Sequence, residues 1–479
     1  MKIYINNIGV IRESEVQIDG ITVITGYNDS GKTTFGKTVF SLVNAVHNLL
    51  PRARTDKTLY ILHGVNEGLY QFLPLNVFSF EENMNMGNSL SVRLIDLVRR
   101  NSEYELEPEG CNIIDSIEQA KGFYSDVLRA ADDMILGMYK ENERGNYGKG
   151  IINKRNHDGF QEELNILNEY VKMLDDDPEA LNYADRRIIS SLQTEFYNQI
   201  IPLRYRSKTG EIRLFEGDDT IFDIKVKNNR LVTEENSFHP IALFSGFKAC
   251  MIDEAQDLDQ ILDRRTERVR LSNNTRNISR ISAFYQQMNV KSHKSELARM
   301  LLPSDSTYGA IASEMNAKEI LDKIHEVFED TIIFDRGSLI CANSKVDVRN
   351  LAAGTKMFAM IHQLVSYGCL DEKTILILDE PDSHLHPEWQ MILAEVLFLL
   401  NEKVGVKIIL TTHSVDFLYA MDVYQKEYNT VWNVYDSQKL EDDYSVRYVN
   451  ATDDLKAVYN KLGEPFQRMR KREMINESR

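Results

Sequence analysis

The stretch Ile21–Thr34, ITVITGYNDSGKTT, joins an apolar strand, Ile21 to Thr25, to a loop bounded by two glycines. The spacing Gly26-x-x-x-x-Gly31-Lys32-Thr33 is that of a P-loop. Its glycines let backbone amides turn inward around phosphates, and Lys32 neutralises the outer ones. The Thr33 hydroxyl can ligate Mg²⁺, and the helix that follows aims its positive N-terminal end at the anion. That helix is predicted from GKTTFGKTVFSLVNAVHNLL, which places Phe35, Val39, Leu42, Val46 and Leu50 on one face. A glycine-rich turn with no ligand would not require strand, loop and helix to agree.

A second stretch, Leu376–Trp389 (LILDEPDSHLHPEW), ends an apolar strand in two acids. Acids there are costly unless a cation meets them. With a P-loop in the same chain the cation is Mg²⁺, held by Thr33 and Asp379, and Glu380 faces the attacking water as general base. Helix capping near Pro387 explains an acid beside that proline, but not two acids closing a strand. His384 and His386 have no Cys or third His nearby in sequence, so zinc is not expected.

Downstream, VKIILTTHS is a further apolar strand, and it places His413 at its carboxyl edge, where it can sense a γ-phosphate. Upstream, VDVRNLAAGTKMFAMIHQLV is a small-residue turn opening an amphipathic helix. Ala352, Ala353 and Gly354 permit close backbone approach, and the helix start offers free N–H groups.

P-loop, small-residue turn, strand ending Asp-Glu-Pro and strand ending Thr-His together resemble the ABC-type ATPases of the SMC, RecF and OLD group. Asn28 matches their G-x-N-x-x-G-K-S/T loop. LAAGTK aligns with their L-S-x-G-E/Q signature, and DEPDSHLHPEWQ is similar to the D-E-P-E-x-H-L-H-P stretch of OLD-like members. The resemblance implies an α/β fold: a two-lobed ABC-type P-loop ATPase core with a mixed sheet and helical insertions. It implies ATP and Mg²⁺ as ligands, with Gly26, Asn28, Asp29, Ser30, Gly31, Lys32, Thr33 and Thr34 around the nucleotide. Thr33 and Asp379 would hold the metal, and Glu380 and His413 would be catalytic. Ala352, Ala353 and Gly354 would touch the nucleotide of a second subunit. Ala352 replaces the signature serine, so one hydroxyl to the γ-phosphate is missing and slow hydrolysis is expected.

The chain of 479 residues is too long for one ordinary core. We expect P-loop core at 1–50, a helical insertion at 51–195, an antiparallel lobe at 196–250, an arginine-rich helical insertion at 251–325 and the remaining core at 326–479. In the first insertion, residues 160–200 read as two helical patterns broken at Pro178. In the lobe, Phe222, Ile224 and Val226 alternate with Asp223, Lys225 and Lys227, with turns at Gly210, Gly217 and Asn228-Asn229. Cys111, Cys250, Cys341 and Cys369 are scattered, which disfavours zinc or a disulfide framework. No apolar run approaches membrane-spanning length, so a cytoplasmic protein without a membrane partner is expected.

The net charge of −17 opposes wrapping of nucleic acid by the general surface. Against it stands a cluster of Arg264, Arg265, Arg268, Arg270, Arg276 and Arg280, either a solvated helix face or a dock for DNA or an acidic phage protein. OLD nucleases carry a TOPRIM domain after the ATPase. None is expected here, because few residues follow His413 and VWNVYDSQKLEDDYSVRYV reads as closing strands.

Three functions remain open. The first is a stand-alone OLD-like ATPase that forms a homo-oligomer, senses a trigger and controls a separate effector. That effector would be a nuclease encoded nearby, as in bacterial anti-phage systems such as PARIS and Septu. The second is a RecF-like DNA-repair ATPase that binds DNA directly. The third, a transporter's nucleotide-binding subunit, fits poorly with the long interruption of the core.

Overall fold

The computed structural model describes residues 1–72, 113–143, 154–176, 180–202, 208–217, 219–232, 237–238, 246–255, 292–301, 314–328, 330, 332–335, 338–341, 343, 345–440 and 445–477. The six arginines of the predicted cluster lie outside them, as do Cys111 and Pro178. The chain divides into two compact units, one of Met1–His47 with Ala184–Arg479 and one of Asn48–Tyr183.

The larger unit contains β1 (Lys2–Asn6), β2 (Ser14–Gln17), β3 (Ile21–Thr25), β4 (Thr209–Glu216), β5 (Asp219–Lys227), β6 (Arg230–Leu231) and β7 (Ser237–Phe238). It continues with β8 (Lys248–Ile252), the hairpin β9 (Ile332–Asp335) and β10 (Ser338–Cys341), then β11 (Thr374–Asp379), β12 (Lys407–Thr412), β13 (Trp432–Lys439) and β14 (Val446–Asn450). One sheet runs β14-β13-β3-β12-β11-β8 and is parallel except for β14. The other runs β2-β1-β4-β5-β6, with β7 against β5, and is antiparallel. The α/β core with a mixed sheet, expected from the motifs, is therefore the fold observed.

Its helices are α1 (Lys32–Val46) and, after the smaller unit, most of α5 (Ala180–Glu195), then α6 (His293–Leu301), α7 (Glu314–Ile324), α8 (Ala353–Ser366), α9 (Pro387–Val404), α10 (Val415–Tyr428) and α11 (Leu455–Glu477). The smaller unit contains α2 (Leu49–Phe72), α3 (Ile113–Glu143) and α4 (Lys154–Lys172). Its buried side chains include Ile61, Val65, Val127, Leu128, Leu164 and Leu167.

Every residue of β3 and β11 is buried, the pattern of strands covered on both faces. Val23, Ile252, Leu376, Leu378, Ile408 and Leu410 face a core completed by α6–α10. Their neighbours Ile24, Met251, Ile375, Ile377 and Ile409 face the opposite core, with α1 and the antiparallel sheet. Burying each of these side chains contributes about 1.5–3 kcal/mol, which locks the register of the parallel strands.

Two local expectations are corrected. Leu50 does not extend the apolar face of α1, because that helix ends at Val46 and Leu50 is exposed in the next one. Gly210 is not a turn residue. It lies within β4 opposite Val226, and a Cβ there would come 2.8 Å from Ile8 Cδ1 and 2.9 Å from the Asn7 carbonyl. Close approach to the β1–β2 connection, not chain reversal, explains that glycine. The other expected turns are present, at Gly217 between β4 and β5 and at Asn228-Asn229 between β5 and β6. Both asparagines have positive φ, 52° and 61°, as a two-residue hairpin turn of the primed type requires.

Candidate functional site

The loop after β3 is shaped by backbone that only certain residues tolerate. Gly26, Asp29 and Gly31 have φ of 151°, 61° and 76°. A Cβ on Gly26 would meet Ser437 Oγ at 1.7 Å, and one on Gly31 would meet Val10 Cγ2 at 2.8 Å. Gly31 caps α1 without a side-chain hydrogen bond, and the first turn carries no acid. The N–H groups at this helix start are therefore left to an anion. Ser30 Oγ, buried in the same loop, has no hydrogen-bond partner. Asn28 and Asp29 are exposed at the loop tip, while Thr34 turns its methyl toward Gly9. This cradle fits a phosphate chain.

Lys32 is buried, and its Nζ donates to the carbonyls of Gly26 (3.1 Å) and Tyr27 (3.0 Å). The same Nζ lies 3.1 Å from Glu380 Oε1. Parallel pairing brings the ends of β3, β12 and β11 to one edge, with Asp379 opposite Thr411. The two Asp379 oxygens accept hydrogen bonds from Thr33 Oγ1 and from Thr411 Oγ1, the latter at 2.5 Å. Glu380 takes φ of 47°, and its N–H donates to Thr411 Oγ1 at 2.9 Å. His413 Nδ1 stands 3.2 Å from Glu380 Oε1.

The adjacent acids are tuned in opposite directions. Burial raises the pKa of Asp379, only partly offset by the Thr33 and Thr411 hydroxyls, and the charges of Asp253 and Glu380 push it further up. Burial also acts on Glu380, but the Lys32 ammonium and His413 outweigh it and hold Glu380 below the ordinary glutamate value. A cation at Asp379 would relieve the crowding of negative charge there. Among the described residues no three His, Cys, Asp or Glu side chains group as a metal site.

Ala352, Ala353 and Gly354 do not join this network. Ala352 caps α8 without a side-chain hydrogen bond, leaving N–H groups open. A Cβ on Gly354 would lie 2.8 Å from Leu385 Cδ2 and 3.1 Å from the His384 carbonyl, so the small-residue turn packs against the loop that follows Glu380. That loop is held by Gln390, which donates to the carbonyls of Asp382 and Leu385 at 3.3 Å and accepts from Ser414 at 3.2 Å. His386 caps α9 ahead of Pro387, giving this histidine a structural task.

Sequence reading missed three groups. Thr411, between the two acids, is one. A second clamps the P-loop: Tyr27 Oη donates to the Lys461 carbonyl at 2.8 Å, and Lys461 Nζ reaches Asp436 Oδ1 at 2.7 Å and the Ser437 carbonyl at 2.6 Å. A third is the buried chain in which His293 Nδ1 meets Glu195 at 2.5 Å and its Nε2 lies 3.4 Å from Asp253, with Lys37 3.7 Å from the same carboxylate. Asp253 directly follows β8, beside β11.

Comparison with known proteins agrees with this picture in one segment. Residues 344–419, which contain the small-residue turn, both acids and His413, match the family described as "AAA domain, putative AbiEii toxin, Type IV TA system". No curated protein sequence is similar enough to count as a relative. Similar solved structures include the SMC head domain from Thermotoga maritima, at 10% identity and a TM-score of 0.34 over 94% of this chain and 97% of that one. They also include an Smc head domain derived from Pyrococcus furiosus, bound to the C-terminal domain of ScpA, at 10% identity and a TM-score of 0.36 over 95% and 98%.

Proposed function

We propose that this protein is a Mg²⁺-dependent ATPase acting as a nucleotide-controlled switch. The observation that carries this reading is the convergence of Lys32, Thr33, Asp379, Glu380 and His413 at one sheet edge. The loop amides and Lys32 bind the phosphate chain, and Lys32 exchanges its contact with Glu380 for the outer phosphate. Thr33 and Asp379 would hold Mg²⁺, which would supply positive charge against the phosphate chain. Glu380, ionised at neutral pH, accepts a proton from the attacking water, and His413 orients it.

The turn at Ala352–Gly354 supports a second step. Among the described residues it stands apart from the network of Lys32, Asp379 and Glu380, so it fits the nucleotide of another copy in a homodimer or larger homo-oligomer. Ala352 offers no hydroxyl there, which favours slow turnover and a long-lived ATP state. That kinetics suits an OLD-like sensor subunit that controls a separate nuclease in anti-phage defence, a role supported by the resemblance of DEPDSHLHP to OLD-like ATPases. The matched family's description, a toxin of a toxin–antitoxin system, sits better with such control than with transport.

Glu380→Gln tests the core of the reading. ATP should still bind while turnover falls by roughly 10²- to 10⁴-fold, and an ATP-bound oligomer should accumulate. Wild-type turnover in that variant would place the base elsewhere.

A further inference from the structure

Asp379 and Glu380 are adjacent residues with different tasks, and something must hold both carboxylates at the geometry each needs. The hydroxyl of Thr411 is placed to do so. It lies on β12, directly opposite Asp379 in the parallel register, and is fully buried. A hydroxyl has one proton to give and lone pairs to accept with. Here the proton goes to Asp379 Oδ1 at 2.5 Å, and a lone pair accepts the Glu380 N–H at 2.9 Å.

Two details make this more than a packing contact. First, the other oxygen of Asp379 is held by Thr33, whose hydroxyl is itself a candidate metal ligand. Were a cation to take Thr33, Thr411 would be, among the described residues, the side-chain donor left to fix the carboxylate plane. Second, Glu380 sits at a φ of 47°, which L-residues rarely adopt, immediately before Pro381. Such a conformation persists only when its surroundings enforce it, and the bond from the Glu380 N–H to Thr411 is one such restraint.

We propose that Thr411 is a positioning residue that sets the metal-binding carboxylate and the general base with a single hydroxyl. This rests on the ATPase reading given above. Loss of the hydroxyl would loosen both acids together, so metal dependence and turnover change in concert while nucleotide affinity without metal does not. A role confined to strand packing would move stability alone.

The test compares full-length wild type with Thr411→Val, which keeps the shape, Thr411→Ala, and Thr411→Ser, which keeps only the hydroxyl. ATP binding in EDTA, the Mg²⁺ concentration for half-maximal turnover, and kcat are measured on each. Thr411→Val should bind ATP normally in EDTA, need roughly 10- to 100-fold more Mg²⁺ and lose a similar factor in kcat. Thr411→Ser should restore both, whereas Thr411→Ala should not. If Thr411→Val does not fold, the Ser–Ala contrast isolates the hydroxyl. Equal Mg²⁺ dependence and kcat across the folded variants overturns the assignment and leaves the ATPase reading standing. Failure of wild type to bind ATP overturns the ATPase reading and, with it, this one.

Discussion

The two sheets of the larger unit both bury apolar side chains, yet among the described residues the candidate site gathers at the edge of one of them, the parallel sheet. In the parallel sheet every strand from β8 to β13 ends at the same edge. Gly26, Asp253, Asp379 and His413 each follow or close such a strand, so residues remote in sequence meet. In the antiparallel sheet strand ends alternate, and no edge collects them. Phe222, Ile224 and Val226 serve packing, and their polar alternates face away. Strand direction, more than burial, brings the candidate site residues together.

The largest effect expected from this contrast comes at the parallel edge. Lys32→Ala should abolish ATP binding, because no second cation touches the P-loop carbonyls that its Nζ bridges among the described residues. Isothermal titration with circular dichroism as the fold control measures it, and unchanged affinity would undo the P-loop assignment. In the antiparallel sheet the damage should be to stability alone. Phe222, fully buried, should cost about 3–5 kcal/mol when replaced by alanine. Denaturant unfolding would read that loss, while ATP affinity per folded molecule stays at the wild-type value.

A smaller effect should come from the buried His293. Burial lowers its pKa, but Asp253 and Glu195 overcome that and raise it to about 9. A raised pKa means stability that is complete below the ordinary histidine value and is lost as pH climbs through about 9. Wild type should therefore lose on the order of 2–3 kcal/mol between pH 6.5 and pH 9.5 from this group, and His293→Gln should lack that component. Asp253, held down to about 2, loses its contribution only in strong acid. Parallel pH–stability curves for wild type and His293→Gln would show that the ion pairs contribute nothing.

Much of the parallel edge was legible because its chemistry constrains local sequence. A P-loop must carry glycines where φ is positive, and acids closing an apolar strand need a reason to be there. Thr411 was not legible, since its task follows from lying opposite Asp379, and nothing local distinguishes it from Thr412. The chain Glu195–His293–Asp253 joins three elements far apart in sequence, so only the fold reveals it. Gly210 misled for a related reason: a glycine signals either reversal or close approach, and the neighbour that decides, Ile8, is remote in sequence. Leu50 misled because helical periodicity continued past the end of α1 into another helix.

The carboxyl edge of the parallel sheet, with Thr33 and Asp379, is proposed as one Mg²⁺–ATP site. The most direct test is ATP hydrolysis by wild type and Asp379→Asn across a Mg²⁺ titration, with ATP binding in EDTA measured on both. Turnover by wild type should require Mg²⁺, and Asp379→Asn should bind ATP in EDTA as wild type does yet show little Mg²⁺-stimulated turnover. The same Mg²⁺ dependence and rate in both proteins would contradict the claim.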